Sequence, residues 1–317
     1  MPCAARRPPE GALDTAATAR RPPLIVIGGP TATGKTGLAI RLAEALAGDG
    51  VSAEIISADS RQVYRGLDIG TAKATAAERA RVPHHGLDLV DPDETFSVAH
   101  FVAHAAGALD RIAARGALAI LVGGTGLYLR AVGRGLDTDA LPSDPALRAT
   151  IEADLLGGGV GALARRLESV APALAARVDL RNPRRVVRAL EIALLRGDVE
   201  RPAARGYRGR SLWIGLALEP LVLRERIARR AREQFEAGLL DEARRLRERY
   251  DPDLPAFSAI GYREAWAVLD GALALEAAIA VDAQRNNAFA RRQRTWFRSE
   301  PGLAWLDATA DPLPAAL

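Results

Sequence analysis

An α/β fold is predicted, with a mainly parallel sheet flanked by helices and interrupted by an all-helical insertion. Three observations in the 317-residue sequence carry this. Over the first half, short apolar runs that end in glycine or aspartate alternate with helical periodicity. Strand signals then vanish between about residues 137 and 209. A strand returns at 212–218 and is followed by long Arg-rich helices.

Leu24-Ile25-Val26-Ile27 is a continuous apolar run closed by Gly28-Gly29, as expected of a strand buried on both faces of a parallel sheet. A helix follows over 36–47, with Leu38, Leu42 and Leu46 spaced four apart. Residues 54–58 read as a second strand ending at Asp59. Residues 97–115 read as a helix with Phe101, Ala105, Leu109 and Ile112 on one face. Residues 118–122 form a third strand running into Gly123-Gly124-Thr125-Gly126. Beyond Leu136 the segments are helical. Ser143-Asp144-Pro145 supplies a cap and first turn, Gly157-Gly158-Gly159 is expected to break the helix, and Asn182-Pro183 begins another. Helices are expected over 220–237, 239–249 and 275–298, and Trp305 falls in a short last strand. The implied organisation is a disordered tail over 1–22, a core from 23–136 and 210–317, and an inserted helical domain over 137–209.

Hydrophobic residues make up 49% and charged residues 26%, ordinary for a globular protein with a real core. No apolar run reaches membrane-spanning length, and the Arg-, Ala- and Pro-rich start lacks a signal-peptide core, so a cytoplasmic location without membrane attachment is expected. With Cys3 as the single cysteine, neither an internal disulfide nor a Cys-based zinc site is expected. Aromatics are only 5%, so a stacking platform for single-stranded RNA cannot be large. Lys and Arg together number 43, yet only Lys35 and Lys73 are lysine. Lysine kept at position 35 suggests a need for a compact ammonium that a planar guanidinium does not meet.

Gly29-Pro30-Thr31-Ala32-Thr33-Gly34-Lys35-Thr36 matches the phosphate-binding pattern G-x-x-x-x-G-K-[ST], placed between a strand and a helix as that pattern requires. Backbone N–H groups of such a loop curl around phosphate oxygens, the helix N-terminus adds partial positive charge, and Lys35 adds a full one. The Thr36 hydroxyl can ligate a magnesium ion bridging the phosphates. A nucleotide kinase or ATPase would place an acidic magnesium partner at a later strand end. Here the third strand ends in Gly123-Gly124-Thr125, and the nearby acid is Asp59. From its position Asp59 can hold magnesium, act as a base or cap the next helix, and the loop alone does not choose the reaction.

The string from Ser57 through Asp59-Ser60-Arg61-Gln62-Val63-Tyr64 to Gly70-Thr71-Ala72-Lys73 closely resembles the tRNA dimethylallyltransferase family. So do Pro83-His84-His85-Gly86-Leu87-Asp88, Gly123-Gly124-Thr125-Gly126-Leu127-Tyr128, Ile260-Gly261-Tyr262-Arg263 and Arg292-Gln293-Arg294-Thr295-Trp296-Phe297-Arg298. These five matches, in order, span nearly the whole chain from Leu24 to Trp305. The resemblance implies that the phosphate loop holds dimethylallyl diphosphate, gripped by Thr31, Lys35 and Thr36 with Mg2+. It implies that Asp59 is the general base toward the exocyclic amine of an adenine, and that Arg230 stabilises the departing diphosphate. It also implies tRNA contacts at Asp59, Ser60, Arg61 and Gln62, at Arg184, Arg185, Val186, Val187 and Arg188, and at Ser258, Ala259, Ile260, Gly261, Tyr262 and Arg263, with Thr125 and Arg148 beside them. The family's target is the adenine just 3′ of the anticodon, and the insertion would embrace the anticodon stem-loop. A monomer is expected.

Those roles agree with elementary chemistry. An adenine amine is a poor nucleophile, so the donor must ionise toward an allylic cation, and the charge to be stabilised grows on the diphosphate. A carboxylate, though a weak base, can orient the amine and take its proton late in bond formation. Arginines cluster at 181–188, 224–232 and 285–298. One such run usually marks a solvated helix face, but three beside a diphosphate loop point to an RNA backbone. Arg226 and Arg230, four apart, share a helix face. His100 and His104 have metal-compatible spacing but lack the acidic residue of the metalloprotease pattern, and Trp213 and Trp266 read as core. Asn286-Asn287-Ala288-Phe289 departs from the string many relatives carry before the Arg-Gln-x-Thr-Trp motif, so a tRNA contact or a packing detail differs there. Three alternatives remain at the sequence level: an adenylate isopentenyltransferase acting on a free nucleotide, a P-loop small-molecule kinase, and an RNA-binding protein with a silent P-loop.

Overall fold

A computed structural model describes residues 21–138, 142–198 and 203–317. The expected tail lies almost wholly outside the described residues. Among the described residues six strands form one parallel sheet: β1 (Leu24–Gly28), β2 (Ala53–Ser57), β3 (His84–His85), β4 (Leu118–Gly123), β5 (Ser211–Ala217) and β6 (Ala304–Asp307), in the order β3-β2-β4-β1-β5-β6. The central β1 pairs with β4 and β5 in register, Gly28 lying opposite both Gly123 and Gly215. All five β1 residues are buried, as a strand covered on both faces must be.

The helices are α1 (Lys35–Gly48), α2 (Ala76–Arg81), α3 (Val98–Ala114), α4 (Gly126–Gly133), α5 (Pro145–Val170), α6 (Pro172–Ala175), α7 (Pro183–Arg196), α8 (Pro220–Glu236), α9 (Leu239–Arg249), α10 (Tyr262–Leu269), α11 (Leu275–Arg298) and α12 (Leu313–Ala316). Helix α1 packs Leu38, Ile40 and Leu42 on one sheet face with Leu223 and Ile227 of α8. On the other face α3 and α4 pack Phe101, Leu109, Ile112 and Leu129 against Val26, Ile56 and Leu121. Trp213 and Trp266 are indeed core residues, 4% and 6% exposed.

Predicted and observed element ends mostly agree to within one or two residues. The short β3, α2, α4 and α10 were not predicted, because six- to eight-residue helices and a two-residue strand carry too few residues to show a period. Between Pro145 and Val170 the triple glycine breaks the helical run as expected: two helical stretches meet at a kink where Gly159 leaves helical geometry, at φ 70°. The segment from α5 to α7 builds a separate core from Ile151, Leu163, Leu167, Leu174, Val186 and Leu190. Asp144 caps α5, and its own backbone N–H donates to the buried Glu191, tying the entry of the segment to α7. Among the described residues, no helix is long and apolar enough to cross a membrane.

Candidate active site

The C-terminal ends of β1, β2 and β4 open onto one crevice, the usual ligand position in a parallel sheet. From β1 the chain enters the phosphate loop. Gly29 sits at φ 145°, and a Cβ there would lie 2.7 Å from the Leu216 carbonyl oxygen, so the approach of β5 requires glycine. Ala32 adopts φ 63°, and Gly34 at φ 85° starts α1. The Thr33 hydroxyl donates to the Pro30 carbonyl at 2.9 Å, and Lys35 Nζ to the same oxygen at 2.6 Å. Gln293 of α11 staples the loop to β4. Its Oε1 accepts from Thr31 N at 2.8 Å, while its Nε2 donates to the Gly124 carbonyl at 2.9 Å.

The missing acid at the end of β4 has a structural explanation. A Cβ on Gly123 would come within 2.1 Å of the Ala58 carbonyl oxygen. Bare glycine lets the end of β2 close over β4, with Ala58 N donating to the Val122 carbonyl at 2.7 Å. This delivers Asp59 to the crevice from one strand further out. Asp59 Oδ1 accepts from Arg61 N at 2.8 Å, a local turn bond that orients the carboxylate. Thr125 Oγ1 accepts from Ser60 N at 3.0 Å, and Gln62 spans from the Ser57 hydroxyl to the Thr71 and Ala72 carbonyls.

Two cavities meet at Asp59. The first, about 460 Å³, is lined by Thr31, Lys35, Thr36, Gly123 and, from α8, Arg226, Arg229 and Arg230. The second, about 500 Å³, is lined by Arg61, Arg184, Ser258, Ile260, Arg285 and Arg292. Both touch Thr31, Asp59, Thr71, Arg230 and Phe289, and among the described residues Phe289 is the only aromatic one lining either. The cation content of the first cavity shifts its own groups. Burial, reinforced by the Arg230 charge and opposed by Asp59, lowers the Lys35 ammonium to about 7. Burial likewise pulls the Arg230 guanidinium below its usual value, with Asp282, Asp59 and Glu233 opposing. Both groups are thus poised to gain from an anion.

The sequence-predicted residues divide three ways. The loop, Asp59 to Gln62, Thr125, Arg184, Arg230 and Ser258 to Ile260 gather around the crevice. Gly261 stands behind it, and Arg185 and Arg263 are exposed nearby in sequence. Val186, Val187 and Tyr262 require correction as side-chain contacts: they are 0%, 5% and 0% exposed. The two valines belong to the insertion core. The Tyr262 hydroxyl donates to Glu242, which also receives Ile69 N and Gly70 N. Arg148 and Arg188 both bond the fully buried Glu191, at 2.9 and 2.7 Å, and so brace the insertion.

Sequence reasoning did not assign roles to Gln293, Phe289 or Asn286. Gln293 lies inside the Arg-Gln-x-Thr-Trp motif; the other two lie in the stretch that departs from the family pattern. Lys73 was likewise unassigned. Its Nζ is buried and donates to the Tyr64 carbonyl, Asp68 and Asp88 at 2.6–2.8 Å, so it too occupies a site shaped for a compact ammonium.

The model for the IPP transferase family matches residues 62–300. A tRNA dimethylallyltransferase of Roseiflexus sp. (strain RS-1) is 47% identical over 294 residues, covering 92% of this chain and 95% of that protein. The crystal structure of a full-length tRNA isopentenylpyrophosphate transferase from Bacillus halodurans is similar at TM-score 0.66 and 42% identity, with 91% of each chain covered. A eukaryotic dimethylallyltransferase acting on tRNA is similar at TM-score 0.74 and 27% identity, covering 90% of this chain and 74% of that one. With the loop, the β2 carboxylate and the motif order already in place, these likenesses establish that the chain belongs to the IPP transferase family of tRNA dimethylallyltransferases.

Proposed function

We propose that this enzyme transfers a dimethylallyl group from dimethylallyl diphosphate to the N6 amine of the adenosine immediately 3′ of the anticodon in tRNA, releasing diphosphate. The observation that carries this reading is Asp59 at the junction of a phosphate-loop cavity and an arginine-lined one.

The diphosphate lies in the first cavity, on the backbone N–H groups of Ala32 to Thr36 and on the Lys35 side chain. The C1–O bond of the donor breaks, and its electron pair stays on the diphosphate. Lys35 and Arg230 stabilise that growing charge. The amine nitrogen attacks C1 from the second cavity, and Asp59 takes the proton it loses. The Thr36 hydroxyl offers a hard oxygen donor in the first cavity, one that would suit Mg2+ completed by water and diphosphate oxygens. Bound there, the ion would neutralise charge on the leaving group. A target base must be turned out of its loop to reach the junction, which single-stranded anticodon nucleotides permit.

Arg61, Arg184 and Arg292 around the second cavity favour an acceptor with a phosphate backbone over a free nucleotide. The decisive experiment incubates the protein with unmodified tRNA or AMP, Mg2+ and dimethylallyl diphosphate, then weighs the digested nucleosides. Prenylated adenosine from tRNA is expected. Product from AMP alone, or phosphoryl transfer when ATP replaces the donor, overturns the proposal.

A further inference from the structure

Arg230 is held in an unusual way for a buried cation. Its guanidinium lines both cavities, yet none of the described carboxylates lies within ion-pair distance. Its one hydrogen bond among the described residues is from NH2 to Asn286 Oδ1, at 3.2 Å. Nε is buried and unpartnered. Such an orphaned donor is costly unless a ligand meets it.

Asn286 is itself fixed from behind. It is 7% exposed, and its Nδ2 donates to Asp282 Oδ1 at 2.8 Å and to the Asp282 carbonyl at 3.2 Å. Asp282 is 1% exposed. A carboxylate on one side and a guanidinium on the other permit only one orientation of the amide. Reversed, its NH2 would face another donor and its oxygen would face a carboxylate. The chain Asp282–Asn286–Arg230 therefore runs through a neutral group. A carboxylate placed directly on Arg230 would screen the charge and occupy two of its donors. An amide occupies one donor and leaves the charge in place.

We propose that Asn286, oriented by Asp282, is the positioning residue for Arg230: it aims the guanidinium at the meeting of the two cavities without neutralising it. The stretch that departs from the family pattern thus supports the leaving-group cation, and the inference rests on the role assigned to Arg230 above.

A double-mutant cycle tests it, with Asn286→Leu, similar in size but without polar atoms, and Arg230→Gln. Asn286→Leu is expected to lower kcat by about 10- to 100-fold, to weaken inorganic diphosphate binding, and to leave KM for tRNA within about twofold. In the Arg230→Gln background the same change is expected to cost less than about threefold, because its target is gone. A merely structural Asn286 would cost the same in both backgrounds. Losses that multiply, or wild-type kcat for Asn286→Leu, overturn the proposal. Should Asn286→Leu not fold, Asp282→Asn serves in the same cycle: it keeps the side-chain shape and removes the charge that orients the amide. Its rate loss must likewise vanish when Arg230 is Gln. A wild-type enzyme that yields no prenylated adenosine would instead overturn the function reading. An Arg230→Gln variant with full activity would overturn the role of Arg230.

Discussion

At the scale of the residue, the site turns on where single charges can sit. Asp59 commits one carboxylate oxygen to Arg61 N and borders both cavities. Asp59→Asn keeps the shape and removes the base. Turnover is expected to fall by about 10²–10⁴-fold while tRNA affinity stays nearly unchanged, which single-turnover rates and filter binding will show. Unaltered turnover would exclude Asp59 as the base. Lys35 makes a different prediction. Burial and Arg230 bring it to about 7, so the free enzyme loses this proton as pH rises past neutrality. An arriving diphosphate favours the charged form and must draw a proton back. Donor affinity is therefore expected to decline from pH 7 toward pH 9, by up to about tenfold per unit. Titration calorimetry at pH 8.5 in buffers of different ionisation enthalpy should register proton uptake. Affinity that is flat with pH and no uptake would refute the assignment. Asp59 and Lys35 could be read from sequence because the loop pattern and the strand end mark them. The partnership of Arg230 with Asn286, 56 positions away, leaves no local trace.

At the scale of the element, close backbone approach decides the geometry. The phosphate loop was legible because its glycine spacing is dictated by local physics. The meaning of Gly123-Gly124 was not, since the backbone that needs the space belongs to β2. Gly123→Ala would place a Cβ 2.1 Å from the Ala58 carbonyl oxygen and 2.5 Å from its carbon, both backbone atoms unable to turn aside. The variant is expected to lose about 1–3 kcal/mol of stability and to displace Asp59, lowering kcat as well. Gly157→Ala, with nothing within 4 Å of its Cβ and a place in α5, is the control and should be neutral or stabilising by up to about 1 kcal/mol. Thermal melts and steady-state kinetics separate the two. Equal behaviour would show that the β2–β4 approach is not what Gly123 provides. Gln293 acts in the same way across the molecule, a single buried amide of α11 that joins the loop to the end of β4.

At the scale of the whole molecule, the insertion reaches back to the sheet crevice. Its helices pack on their own core, brace themselves through Glu191 with Arg148 and Arg188, and present Arg184 to the second cavity. If Arg184 meets a phosphate, Arg184→Ala should weaken tRNA binding across tRNA sequences and reduce the slope of log affinity against log salt by about one. A weakened affinity with an unchanged slope would assign Arg184 to a neutral contact. Not every arginine of these clusters is free for such work. Arg232 pairs with Glu276, Arg285 with Glu264, and Arg226 bonds the Ala308 carbonyl. Counting charges along the chain could not distinguish braces from contacts.

By itself the sequence determined the alternation of strand and helix, the phosphate loop, the place of Asp59 at a strand end and the helical interruption. Each of these depends on neighbours within a turn or a strand length. Only the tertiary structure decided that Tyr262, Val186 and Val187 are interior, that Gly123 makes room for β2, and that two cavities share Asp59 and Arg230. Those facts depend on which backbone atoms and charges from distant segments come within a few ångströms. Residue periodicity encodes which face of an element is buried, and it carries no record of which buried neighbour that face will meet.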